Sequence, residues 1–389
     1  MPAPAPAVEE DVVALTDVNY LLASGASIRD LPKISLHDHL DGGLRPQTII
    51  ELADGVGYEL PETEPQALAG WFAERSDSGS LLEYLKTFEV TCAVMQTREG
   101  LVRCAREYVN DLVADGVIYG EVRWAPEQHL ERGLSLDDAV HAVQEGIDEG
   151  VDDAAHLGRD IRVGQLLSAM RQGDRARDIA ELAVRHRLDG VVGFDVAGPE
   201  DGFPASLMAG TFDYLALQYL PVTVHAGEAA GIDSIRSALF DGRALRLGHG
   251  VRIAEDMEVD SEDADTMYVT VGPVAQWVKD RRIALELSPT SNLQTGAIAA
   301  WGSEIEKHPF DLLYQLGFAV TVNTDNRLMS NTTLSRELSI LADAFSYDVS
   351  DLEVFQQNAA AAAFLPLEDR EELADQIAHG FDQGLDAGD

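Results

Sequence analysis

Apolar positions along this chain follow two rhythms. Short runs rich in valine, isoleucine and leucine occur at 33–37, 117–123, 161–167, 191–195, 222–225, 245–249, 283–287 and 319–323, and each predicts a strand. Between most of them the apolar residues shift to i, i+3, i+4 spacing, as over 179–187, which predicts helices. A strand followed by a helix, repeated eight times, implies an α/β fold whose parallel strands close as a (β/α)8, TIM-type barrel. The first two strands lie about eighty residues apart, far beyond the ~10–12 residues a βα crossover minimally needs. Extra helices inserted between strands 1 and 2 are therefore expected at 46–53, 65–73, 81–95 and 98–115. Within the third of these, Leu81, Tyr84, Leu85 and Phe88 share one helical stripe, which by periodicity alone reads as core packing. A further helix is expected over 15–30, leading into the first strand through Pro32.

With 389 residues, 46% of them hydrophobic, the chain can fill one large core. The economical division is a disordered Pro/Ala-rich tail at 1–12, a single domain at 13–380 and an acidic tail at 381–389. A net charge of −40 repels nucleic acid, anionic lipid and highly phosphorylated ligands, leaving a neutral or cationic small molecule as the expected partner. Most of the 68 carboxylates read as solubilising surface. Cys92 and Cys104 form neither a disulfide framework nor a C-x-x-C clip, and both are expected as buried small hydrophobes. The first residues lack the basic and apolar segments of a secretory signal, and no run approaches the ~18 apolar residues of a membrane span. A cytoplasmic location, away from membranes, is the expectation; oligomeric state is not legible.

Polar motifs stand where four of the predicted strands end: His37-Asp38-His39 with Asp41-Gly42, His225-Ala226-Gly227-Glu228, Gly248-His249-Gly250 and Thr324-Asp325. In a barrel of parallel strands these ends share one rim, where the active site belongs. Histidines at i and i+2 of an extended segment point to the same side, so His37 and His39 can reach one ion. Adding His225 and Asp325 makes an N3O set suited to Zn2+, with a position left for water. Glu228, beyond the end of its strand, reads as a catalytic acid, and His249 or Asp325 as the group that orients a metal-activated water. Gly248 and Gly250 are expected to let substrate or water approach the backbone. The chain's four lysines lie away from the end of the fourth strand, so a lysine-bridged two-metal centre is disfavoured.

These motifs, with Glu121-Val122-Arg123-Trp124-Ala125-Pro126, Asp195-Val196-Ala197-Gly198, Asn323-Thr324-Asp325, Asn358-Ala359-Ala360 and Phe364-Leu365-Pro366, run in one order from about residue 33 to 370. Together they resemble the adenosine deaminase family, one-zinc barrel hydrolases of purine metabolism. The resemblance implies hydrolytic deamination of adenosine and deoxyadenosine to inosine and ammonia, as in purine salvage, with one Zn2+ per chain. It implies His37, His39, His225 and Asp325 as zinc ligands, Glu228 as the acid that protonates purine N1, and His249 with Asp325 as the groups that position the water adding at C6. It assigns the Gly198 N–H to N3, Asp41 to the ribose 5′-hydroxyl, and His39 to substrate contact as well as metal. The stripe Leu81, Tyr84, Leu85 and Phe88 becomes an apolar lid over the substrate.

One position departs from the family pattern. A second aspartate usually follows the ligand, and here Asn326 does. An amide donates to purine N7 without borrowing a proton, which keeps a purine but opens the choice among adenosine, deoxyadenosine and modified adenines. The alternatives are a deaminase of adenine or of a 5′-substituted adenosine, and a non-catalytic nucleoside-binding member. Asp41 disfavours a phosphorylated ribose. Arg123 is expected to pair with neighbouring carboxylates and order the site rather than to bind phosphate.

Overall fold

The computed structural model describes residues 20–263 and 266–386. All eight expected strands are present: β1 (Lys33–His39), β2 (Val117–Trp124), β3 (Arg162–Met170), β4 (Val191–Ala197), β5 (Thr223–Ala226), β6 (Arg246–His249), β9 (Ala284–Leu287) and β10 (Val320–Val322). The two remaining strands, β7 (Met257–Asp263) and β8 (Thr266–Val271), form an antiparallel hairpin after β6 that the run-counting missed. Its first strand alternates apolar with charged positions (Met257, Val259 against Glu258, Asp260), and its second holds only the short apolar run Met267–Val269 between threonines.

The eight barrel-type strands pair in parallel as two four-stranded sheets, in the orders β1-β2-β3-β4 and β5-β6-β9-β10. Both junctions between the sheets carry parallel bridges, Phe194 with Val222 and Asp38 with Asp325. At the second, His39 N–H donates to Asp325 O at 2.8 Å and Asp325 N–H donates to His37 O at 2.9 Å. Every residue of β1 is buried, as expected where helices cover one face of a parallel sheet and side chains fill the other.

Helices lie between the strands, and four helical stretches separate β1 from β2. Pro46–Val56 and Pro65–Ser76 each start on proline at the first helical position, whose missing N–H costs nothing there. The expected helix at 81–95 is instead two, Leu81–Tyr84 and Phe88–Val94, joined by a 3-10 turn at Leu85–Thr87. Thr87 Oγ1 donates back to Tyr84 O at 2.7 Å, a buried bond that competes with the helical ladder. The helix expected at 15–30 is corrected where the structure describes it, residues 15–19 lying outside the described ones: from Tyr20 the chain makes a Leu21–Ser27 bridge and a 3-10 turn at Ile28–Asp30. Gly25, at φ 88°, supplies the left-handed residue of the turn between Leu21 and Ser27, ahead of Ile28–Asp30. Lys33 is buried beneath it and its Nζ donates to the carbonyls of Ile28, Arg29 and Leu31.

The expected tail at 1–12 lies outside the described residues. The acidic tail expected from 381 is corrected up to Asp386, because helix Leu367–Asp386 runs through it. Leu373, Ile377 and Phe381 recur at i, i+4, i+8 and are all buried, so the helix is docked by its apolar stripe although its other faces are acidic. Among the described residues, no helix is long and apolar enough to cross a membrane.

Candidate metal centre and substrate pocket

The strand ends bring His37, His39, His225 and Asp325 together, with one ligand atom of each inside a 4.8 Å cluster and all four residues buried. His37 Nε2 lies 3.2 Å from Asp325 Oδ1, His39 Nε2 lies 3.4 Å from the same oxygen, and His39 and His225 meet Nε2 to Nε2 at 3.2 Å. Asp325 and His249 both have positive φ, 57° and 61°. Left-handed backbone on a non-glycine residue costs on the order of 1–3 kcal/mol, and such strain gathers at functional sites.

Hydrogen bonds on the far side of two of the rings, His37 and His225, decide which of their nitrogens face inward. His37 Nδ1 donates to Glu286 Oε2 at 3.0 Å, and His225 Nδ1 donates to Asp195 Oδ1 and Val196 O at 3.1 and 3.0 Å. Those partners only accept, so both Nε2 atoms present lone pairs toward the cluster. His37 Nε2 has no hydrogen-bond donor. Burial disfavours charge on His37, yet the neighbouring carboxylates of Asp325 and Glu286 lift its pKa above the ordinary value. Burial lowers the pKa of His225, and that of His39 well below the ordinary range. Converging lone pairs, a carboxylate and a preference for positive charge at this spot fit a divalent cation with borderline nitrogen and oxygen ligands.

Around this cluster lies a buried ionic layer. Glu286 ion-pairs with Arg123 Nη2 at 2.7 Å and Arg246 Nε at 2.6 Å, and accepts from Thr223 Oγ1 at 3.2 Å. Burial opposes its charge, but the two arginines hold its carboxyl well below the ordinary value. Asp195 accepts from Ser168 Oγ at 2.8 Å and lies 3.6 Å from Arg123. Arg123 thus orders the site through carboxylates, as expected from the sequence.

Glu228 and His249 stand beside the cluster, with Glu228 Oε2 3.5 Å from His249 Nε2. Burial raises the Glu228 carboxyl well above its usual pKa, and the nearby Asp325 and Glu200 charges raise it further. Its Oε1 is buried without a hydrogen-bond partner. Its backbone is held by Glu200, whose carboxylate accepts from the N–H groups of Gly227, Glu228, Ala229 and Ala230 at 2.6 to 3.0 Å.

The tautomer of His249 is set from a distance. Phe310 N–H donates to His308 Nδ1 at 3.0 Å, so His308, kept neutral by burial with a pKa of about 3, carries its proton on Nε2. That proton goes to Asn292 Oδ1 at 3.2 Å, and the Asn292 amide nitrogen then donates to His249 Nδ1 at 3.0 Å. Burial also keeps His249 neutral, so its Nε2–H is a donor facing the site. Asn292→Asp replaces that donor by an acceptor and moves the proton to Nδ1. The expected result is a fall in kcat/KM of about 10- to 100-fold with metal content unchanged; steady-state kinetics beside metal analysis would reject the relay if the rate held.

A family model described as adenosine deaminase matches residues 32–380. Adenosine deaminase 1 of Streptomyces coelicolor is 52% identical over 344 residues, covering 88% of this chain and 85% of that protein. This chain belongs to the adenosine deaminase family. It is accordingly an enzyme, a hydrolase that deaminates adenosine. The adenosine deaminase of Mycobacterium avium is 50% identical, covering 90% of this chain and 95% of that one. Among solved structures, the N6-mAMP deaminase of Arabidopsis superposes with a TM-score of 0.75 at 26% identity, over 90% of this chain and 99% of that one. An amidohydrolase from Burkholderia ambifaria with bound Zn shares the fold, with a TM-score of 0.77 at 22% identity over 96% and 99% of the two chains.

Of the positions that family resemblance assigns to substrate, Asp41, Leu85, Phe88 and Gly198 line one pocket together with His39. The Phe88 ring meets His39 edge-on at 6.4 Å. Tyr84 lies deeper, its hydroxyl buried among Ser291, Asn326 and Ser330. Leu81 is half-buried and does not line this pocket. Asn326 is buried against Gly42: a Cβ there would lie 1.9 Å from Asn326 Oδ1. The glycines beside His249 need correction. A Cβ on Gly248 would come within 3.0 to 3.2 Å of His225, and Gly250 faces Leu285, so both make room for packing rather than for substrate.

Sequence reading missed Glu286, Glu200, Asn292 and His308. A glutamate inside the apolar run Ala284–Leu287 was a signal for the first; Glu200 and His308 sit in loops and Asn292 in the short helix Pro289–Gln294, where polar residues are ordinary.

Proposed function

We propose that the chain deaminates adenosine and deoxyadenosine hydrolytically at a one-zinc centre held by His37, His39, His225 and Asp325, to give inosine and ammonia. When bound, the zinc supplies Lewis acidity that brings the pKa of a water toward 7. The protein's own groups do the rest. Glu228 gives its proton to purine N1, which makes C6 electrophilic. Asp325 accepts the proton of the attacking water, and the His249 Nε2–H donates to the oxygen as charge develops on it. The carboxyl of Asp41 takes the ribose 5′-hydroxyl, the Gly198 N–H meets N3, the Asn326 amide meets N7, and Leu85 with Phe88 excludes water above the base. The observation that carries this reading is a buried Glu228, its pKa raised by burial, 3.5 Å from a donor-facing His249 and beside converging imidazole lone pairs.

The architecture that goes with it is a closed (β/α)8 barrel forming a single domain, with the helices between β1 and β2 as an insertion. The bridges at both sheet junctions support closure. Its cytoplasmic placement continues to rest on the sequence reading.

A nucleoside fits better than a nucleotide. The described residues lining the pocket around Asp41 include no lysine or arginine to meet a phosphate. Initial rates of metal-quantified protein on adenosine, deoxyadenosine, adenine, AMP and 5′-substituted adenosines test this. The two nucleosides should give the highest kcat/KM; a preference for AMP or for free adenine would reject the Asp41 assignment.

A further inference from the structure

Three chemically different ligand groups lie one step from the metal centre. Asp41 follows β1, Cys92 sits on helix Phe88–Val94, and His129 ends the 3-10 turn Pro126–His129 after β2. The carboxylate oxygen, sulfur and ring nitrogen they offer lie within 4.8 Å of one another. Two of these groups are buried and carry an atom with no hydrogen-bond partner, Asp41 Oδ1 and His129 Nε2. The other nitrogen of His129 donates to Met95 O at 3.1 Å. A carbonyl only accepts, so His129 Nε2 presents a lone pair. The Cys92 thiol does not fill the gap, because it donates to Gln128 Oε1 at 3.1 Å. Cys92 is also half-buried rather than the fully buried hydrophobe expected from the sequence. Unpartnered bases at such a spot are costly unless something electron-poor sits between them.

We propose that Asp41, Cys92 and His129 form a second metal site, separate from the His37–His39–His225–Asp325 cluster, for a thiophilic divalent cation such as cadmium or excess zinc. One oxygen, one sulfur and one imidazole nitrogen make a borderline-to-soft set. Binding exchanges the S–H proton, which leaves to solvent, for a sulfur–metal bond, with no change of oxidation state. The consequence for turnover rests on the reading of Asp41 as the ribose acceptor. A cation on that carboxylate withdraws the acceptor, so KM for adenosine rises while kcat holds. The site would make the deaminase sensitive to metal beyond its catalytic ion.

Zinc-loaded protein titrated with cadmium tests this through the sulfur-to-cadmium charge-transfer absorption. The first centre contains no sulfur, so the band reports the second alone. One equivalent should saturate the band in the unaltered protein and in Cys104→Ser. Cys92→Ser should lose it, keep basal turnover, and lose the cadmium-induced rise in KM. His129→Gln should weaken cadmium binding about tenfold or more, and Asp41→Asn gives a second reading of the same dependence if His129→Gln does not fold. No band in the unaltered protein, a band that survives Cys92→Ser, or cadmium affinity unmoved by both ligand variants would overturn the site. A band with the full ligand dependence but an unmoved KM would support the metal site and reject the ribose role of Asp41.

Discussion

Glu228→Gln is expected to keep the metal and lower kcat by about 10²- to 10⁴-fold, the usual contribution of a positioned general acid. The physical basis is the unusual state of this carboxyl. Burial, with the Asp325 and Glu200 charges nearby, raises its pKa well above the ordinary value, which favours the protonated form a general acid needs. Glutamine keeps the shape and can still donate a hydrogen bond, but it cannot transfer a proton to the ring. The loss should therefore fall on kcat, with KM nearly unchanged and metal stoichiometry intact. Metal analysis and steady-state kinetics on the same preparation separate the cases. A variant that turns over within threefold of the parent (about 0.6 kcal/mol of barrier) would remove Glu228 from the chemistry.

Glu286→Gln is expected to destabilise the fold by about 3–5 kcal/mol, the cost of leaving a buried ion-pair partner uncompensated. Glu286 is fully buried and shared by Arg123, Arg246 and His37. Arg123 retains Asp195 at 3.6 Å, and Arg246 retains Glu121, so the layer is weakened rather than abolished. The pH dependence follows from the direction of the shift. The folded-state pKa of Glu286 lies well below its ordinary 4.5, so its stabilisation is present above about pH 4.5 and is lost as pH falls through the folded value. The variant lacks that contribution, and its acid limb should be correspondingly flatter. Because His37 Nδ1 loses its anionic acceptor, metal affinity should fall by about 10- to 100-fold as well. Denaturant midpoints from pH 3 to 7 check this; a midpoint shift worth less than about 0.5 kcal/mol at pH 7, the size of an ordinary surface change, would count against the network.

The legible parts of the fold and of the candidate site share a physical character. Strands β1 to β6, β9 and β10 were readable because buried parallel strands write continuous apolar runs, and His37, His39, His225, His249 and Asp325 stood where those runs end. The hairpin of Met257–Asp263 with Thr266–Val271 was not, because its first strand alternates apolar with charged residues and its second holds only the short apolar run Met267–Val269. The split of the segment 81–95 depended on one buried hydroxyl bond from Thr87, which no periodicity records. Leu85 and Phe88 reached the pocket, whereas Tyr84, on the same stripe, went beneath it toward Asn326.

By itself the sequence determined the parallel α/β class, the family, and which side chains have the chemistry of a metal centre, since strand periodicity and ligand type are local properties. Only the tertiary structure decided which imidazole nitrogens face inward, which acid has its pKa raised, and which tautomer His249 presents. Those states are set by partners such as Glu286, 249 positions from His37, and Asn292, 43 positions from His249. Hydrogen-bond direction and desolvation depend on what surrounds a group in space, and the order of residues along the chain does not encode that locally.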